Sequence, residues 1–117
     1  MKSKPVRIQY TETFENLLND LINHLGKHSN EEQVILRLES FIECFEGLVS
    51  FTPKAAPISP YLLELGVILY REFSADNFRL LYRIIEEEGS IVITADVIIS
   101  QKQDIPQVLI NYCLLYK

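Results

Sequence analysis

Apolar and polar residues alternate along Val6 to Tyr10, with Val6, Ile8 and Tyr10 on one side and Arg7 and Gln9 on the other. That two-residue period predicts a strand with one buried face, and Pro5 at its start predicts an edge position. From Thr13 the period lengthens, and Phe14, Leu17, Leu18, Leu21, Ile22 and Leu25 fall at helical spacing before Gly26, a natural C-terminal stop. Ser29, Asn30, Glu31 and Glu32 read as a capping box, in which the Ser29 hydroxyl and Glu32 carboxylate satisfy free N–H groups at a new helix start. Val34, Ile35, Leu38, Phe41, Ile42, Phe45 and Leu48 then carry a second apolar stripe. The short connection between the stripes predicts an antiparallel helical hairpin.

Pro53, Pro57 and Pro60 make Thr52 to Gly66 a connector, with regular structure expected only at Tyr61 to Leu65. Three β-rich runs follow, Val67 to Phe73, Phe78 to Ile85 and Ser90 to Ser100, separated by the polar sequences SADN and EEEG. They predict an antiparallel meander. Asp104 can cap a C-terminal helix with Pro106 in its first turn and Val108, Leu109, Tyr112, Cys113 and Tyr116 along one stripe. The expected fold class is therefore α+β: an N-terminal strand, a helical hairpin, a three-stranded meander and a terminal helix in two layers, all within one domain spanning residues 1–117.

Four-residue loops at Ser74 to Asn77 and Glu86 to Gly89 would oppose Phe73 to Phe78, Glu72 to Arg79, Tyr70 to Leu81 and Ile68 to Arg83, with Thr94 opposite Leu81 and Asp96 opposite Arg79. This register gathers Leu69, Phe73, Phe78, Leu80, Tyr82, Ile84, Ile91, Ile93, Ala95 and Val97 on one face to meet the helices. The other face would hold Tyr70, Glu72, Arg79, Leu81, Arg83, Thr94, Asp96, Ile98 and Ser100, continuing to Lys102. Arg79 would then lie between two carboxylates, an arrangement that serves equally as a solvated salt-bridge row. Leu81, Val92 and Ile98 on an uncovered face would instead suggest a partner surface.

The chain has 117 residues, 48% hydrophobic and 23% charged, which suits one globular core. A net charge of −5 argues against broad attraction to nucleic acid, so any basic site must be local. The polar, basic N-terminus and the lack of a long apolar run predict a cytoplasmic protein without a membrane span. Cys44 and Cys113 match no metal or disulfide spacing and are expected to be reduced, largely buried thiols. His24 and His28 stand at metal-compatible spacing but lack a third ligand, and suit a helix C-terminus instead. Glu86 to Glu88 read as a solvated loop. No phosphate loop, nucleophile elbow or paired-carboxylate signature supports an independent enzyme class, and no cofactor is expected.

Together with the order of elements, the segments LYREFSADNFRLLYRI and IVITADVIISQKQDI make the chain resemble the RelE/ParE superfamily of toxins, over nearly its whole length. The most specific part is Phe78 to Arg83, preceded by Arg71-Glu72. The resemblance implies the toxic half of a type II toxin-antitoxin module of the kind that stabilises plasmids, held in a hetero-oligomer with a cognate antitoxin. RelE-like members cleave messenger RNA on the ribosome with basic residues on the sheet, where cations stabilise phosphate charge and a side chain moves protons. Carried over, that set would be Arg79, Arg83, Lys102 and Tyr112. Tyr70 and Glu72 stand where basic residues are expected, and Ser100-Gln101 replaces a histidine. ParE-like members keep the fold without that set and inhibit DNA gyrase by protein contacts. The resemblance is thus closer to ParE, with Tyr70, Glu72, Arg79, Leu81, Arg83, Asp96, Ile98 and Lys102 as target- or antitoxin-binding residues. An RNA-cleaving toxin and a non-toxic binding module of the same fold are the alternatives.

Overall fold

A computed structural model describes residues 5–101. It runs β1 (Val6–Tyr10), α1 (Glu12–Gly26), α2 (Glu31–Phe51), α3 (Pro60–Glu64), β2 (Arg71–Ala75), β3 (Phe78–Glu87) and β4 (Ser90–Ser100). The expected C-terminal helix, with Tyr112 and Cys113, and Lys102 lie outside the described residues. The four strands form one mixed sheet in the order β1-β4-β3-β2, with β1 parallel to β4 and the other neighbours antiparallel. This is an α+β domain with β1 on an edge, as its sequence predicts.

Helix α1 starts one residue earlier than its apolar stripe, because the Thr11 hydroxyl accepts from the Phe14 N–H at 3.0 Å and caps the first turn. Its end does not use a left-handed glycine; Gly26 instead lies close to Glu31, which an added Cβ would meet at 3.4 Å. The cap of α2 is Asn30 and not the expected Ser29–Glu32 pair: the Asn30 side-chain oxygen accepts from the N–H groups of Glu32 and Gln33. Both residues are good caps, and the asparagine sits one position nearer the first turn.

The helices bury one face of the sheet. Phe14, Leu17 and Leu21 of α1 and Val34, Leu38, Phe41, Phe45 and Val49 of α2 are buried in one core with Phe78, Leu80, Tyr82, Ile93 and Ala95. Ring contacts stitch the layers, with Phe41 at 5.1 Å from Phe73 and 5.5 Å from Phe78, and Phe45 at 5.2 Å from Tyr82. Each such buried aromatic contributes about 1.5–3 kcal/mol of transfer free energy, and tilted ring pairs add to that. Arg37 of α2 reaches over the Phe78 ring at 5.1 Å and bonds Asp76 with Nε and Nη2, pinning the β2–β3 turn to the helix.

The second and third strand runs are where expected, but the first is shifted toward the C-terminus and the register differs. The turn between β2 and β3 is two residues, Asp76-Asn77, both at positive φ (46° and 67°). That twist matches the strands it joins. Glu88-Gly89 likewise makes a two-residue turn, with Gly89 at φ 80°. Strand β2 consequently begins at Arg71, and Ile68 and Leu69 precede it as exposed residues, so Leu69 is not in the core. A bulge in β4 shifts the β3–β4 pairing between Leu81 and Tyr82: Ala95 pairs with Tyr82, Val97 with Leu81, and Asp96 is the extra residue. Beyond that point the alternation of β4 is inverted, so Ile98, paired with Leu80, and Ser100, paired with Phe78, fall on the helix side and not on the expected outer face.

Candidate functional site

The second sheet face carries Glu72 and Ser74 of β2, Arg79, Leu81 and Arg83 of β3, and Thr94, Asp96 and Val97 of β4. The shorter turns move each cross-strand pair. Arg79 is opposite Ser74 and Ile99, not between Glu72 and Asp96, while Glu72 is opposite Leu81. Arg79 is half-buried and forms no ion pair among the described residues. The charge pairing lies further along the strand. Arg83 grips Asp96 with two hydrogen bonds, Nε to Oδ2 at 2.6 Å and Nη2 to Oδ1 at 3.1 Å, and Asp96 is only 8% exposed. The bulge makes this possible, since it places both Asp96 and Val97 toward the face that carries Arg83. A bidentate, partly desolvated pair of this kind fixes the guanidinium and cancels its charge.

The same face is not an open apolar surface. Leu81 and Val97 are buried, as are Val92 and Thr94, and Ile98 is buried on the helix side. Gln9 of β1 donates to the Thr94 hydroxyl at 3.1 Å, tying the edge strand to this face.

Around β2 the connector supplies polar partners that the sequence did not reveal. The buried Ser59 donates its hydroxyl to Glu72 at 3.0 Å, and its N–H bonds the Tyr70 carbonyl at 2.9 Å. Arg71 points toward the connector, as the strand alternation predicts, and donates to the Ala56 and Lys54 carbonyls at 2.7 and 3.2 Å. The Tyr82 hydroxyl donates to the Pro53 carbonyl at 2.8 Å. Burial pushes the Tyr82 hydroxyl above its ordinary pKa, against a smaller opposing pull from the Arg71 charge.

Near the other edge, Tyr10 stacks on Phe14 with ring centres 4.9 Å apart and donates its hydroxyl to Glu46 of α2. Burial raises the Tyr10 pKa, and the Glu46 carboxylate raises it further by bonding and by charge. Tyr10, Phe14, Glu15, Leu18 and Ile42 line a mainly apolar groove of about 330 Å³. A second apolar surface is the exposed run Leu63, Leu65, Ile68 and Leu69, at the end of α3 and just beyond it.

The remaining candidates are surface features. The His24 and His28 rings meet edge to face at 5.6 Å, and among the described residues no group of three or more metal-binding side chains converges. Cys44 is exposed, not buried, because it sits on the solvent side of α2. Glu86 and Glu87 lie at the end of β3, where they approach Lys54 and Arg7 at 4.0 Å. Among the described residues no helix is long and apolar enough to cross a membrane. Comparison with known proteins finds no family model and no curated protein that match the chain.

Proposed function

We propose that this chain is the toxin component of a cytoplasmic type II toxin-antitoxin module, ParE-like in acting by protein contact on DNA gyrase and neutralised by a cognate antitoxin. The observation that carries the choice of protein contact over RNA cleavage is the Arg83–Asp96 pair. RNA cleavage needs several cations free to meet phosphate. On this face Arg83 is held by a carboxylate and Glu72 contributes a negative charge, while Arg71 is turned away to the connector. Among the described residues that leaves Arg79 as the arginine of this face outside an ion pair, and one arginine is a poor phosphoryl site. Protein recognition is supported by the exposed run Leu63 to Leu69 and by the apolar groove beside Tyr10, both of a kind that partners cover. The gyrase target rests on the resemblance of Phe78 to Arg83 and its flanking segments to the ParE-like class.

Induced expression should arrest growth, and purified protein should inhibit gyrase supercoiling in proportion to its concentration. Full supercoiling at large excess, with growth arrest intact, would replace gyrase as the target. Unaffected growth would leave a non-toxic binding module of the same fold.

A further inference from the structure

The edge strand β1 has one side committed to β4 and, among the described residues, no strand or loop on the other. The bonds that bracket it, the Ile91 N–H to the Pro5 carbonyl and the Thr11 N–H to the Ala95 carbonyl, fix its phase. In a parallel ladder the N–H and C=O of one residue point the same way and alternate along the strand. Pro5, Arg7, Gln9 and Thr11 therefore address β4. Val6, Ile8 and Tyr10 present three N–H and three C=O groups outward, with no partner among the described residues. Over these positions β1 has no internal proline, no bulge and no charge on its helix-side row, and Arg7 is its one charge.

We infer that this edge is a self-association surface, on which a second copy of the chain pairs its own β1 antiparallel about a two-fold axis at Ile8. In that register Ile8 opposes Ile8 and Val6 opposes Tyr10 of the other copy as hydrogen-bonded pairs, so every outward N–H and C=O is satisfied at once. The side chains agree with it. Val6, Ile8 and Tyr10 all belong to the half-buried helix-side row, so the pairing continues an apolar row across the axis. On the other face Arg7 opposes Gln9 of the second copy, so no like charges meet. A slip of two residues would place Arg7 against Arg7 in one direction, and in the other would leave the outward N–H and C=O of Val6, a third of the free groups, without a strand partner. The register centred on Ile8 is thus the one that meets every outward group without opposing like charges, and in it the sheet would become eight strands long. This inference is independent of the gyrase reading, since it rests only on backbone phase and the residues of β1.

The test is sedimentation equilibrium of the full chain over a concentration series, with residue-resolved amide exchange on the same samples. The amides of Arg7 and Gln9 should be protected at every concentration, and those of Ile8 and Tyr10 only as dimer forms. Gln9→Glu faces Arg7 twice across the axis and should tighten the dimer, while Gln9→Arg should loosen it, each by roughly 2- to 30-fold in Kd. The two variants change an exposed side chain that also bonds Thr94, so each is compared with Gln9→Ala, which loses the same bond without adding a charge, and a cooperative thermal transition checks their fold. A monomer up to the highest concentration would overturn the inference. So would a dimer in which the Ile8 and Tyr10 amides stay exposed, or one indifferent to both charge substitutions.

Discussion

The two edges of the sheet are treated in opposite ways. Along β2 the proline-containing connector lies against the strand: Ile58 bridges to Arg71, Ser59 and Glu72 donate backbone N–H groups across the gap, and the Arg71 and Ser59 side chains lock the arrangement. Along β1 nothing comparable is present among the described residues. A segment that reads as an irregular spacer is in fact an edge guard, built from side chain to backbone bonds that need no regular secondary structure. The difference explains why the polar residues near β2, which resemble site residues in sequence, are engaged in structure, and why the free hydrogen-bonding capacity sits at the N-terminal strand.

The centre of the sheet sets the scale against which both edges are measured. Asp96→Ala should lower stability by about 2–3 kcal/mol in urea unfolding, because it strands a partly buried guanidinium. A loss below about 0.5 kcal/mol would mean that the Arg83–Asp96 pair is solvated. Arg71→Ala should cost about 1–2 kcal/mol by freeing two carbonyls, and should speed exchange of the Ser59 and Glu72 amides, making the guarded edge behave like the bare one. Exchange unchanged in that variant would break the comparison. Ser59→Ala should cost about 1 kcal/mol, since Glu72 loses a donor but stays half exposed.

Tyr10 gives the smallest effect at neutral pH and a distinct one in alkali. Its hydroxyl pKa is raised above the ordinary value of 10.0 by burial and by Glu46. A raised folded pKa stabilises fully below the unfolded value and is lost as pH climbs above it toward the folded one. Stability should therefore fall from about pH 10 upward, and Tyr10→Phe should flatten that fall while Tyr82 sustains part of it. An identical alkaline slope in the variant would contradict the Tyr10–Glu46 bond.

Periodicity located β1, the helical hairpin and the three later strands, because each element keeps its apolar side toward one core. Register escaped for two reasons. SADN and EEEG each look like four-residue loops, yet asparagine, aspartate and glycine tolerate the left-handed backbone that lets two residues close the turn. The bulge at Asp96 leaves no mark in Ile91 to Ile99, where apolar residues occupy both parities and only Thr94 and Asp96 interrupt them. The outer-face set therefore kept Glu72, Arg79, Leu81, Arg83 and Asp96 but lost Ile98, and it paired Asp96 with the wrong arginine. Ser59 and Arg37 were missed altogether. Their roles arise from contacts across 13 and 39 positions of sequence, which no local pattern encodes.

The central proposal is that this chain is a toxin that acts through protein contact, with the Arg83 charge held by Asp96. One preparation assayed side by side for gyrase supercoiling and for translation-dependent message cleavage tests it most directly. The account predicts loss of supercoiling with messages left intact, and Arg79→Ala that changes neither result by an order of magnitude. Codon-level cleavage of translated messages, abolished by Arg79→Ala in a folded protein, would contradict it.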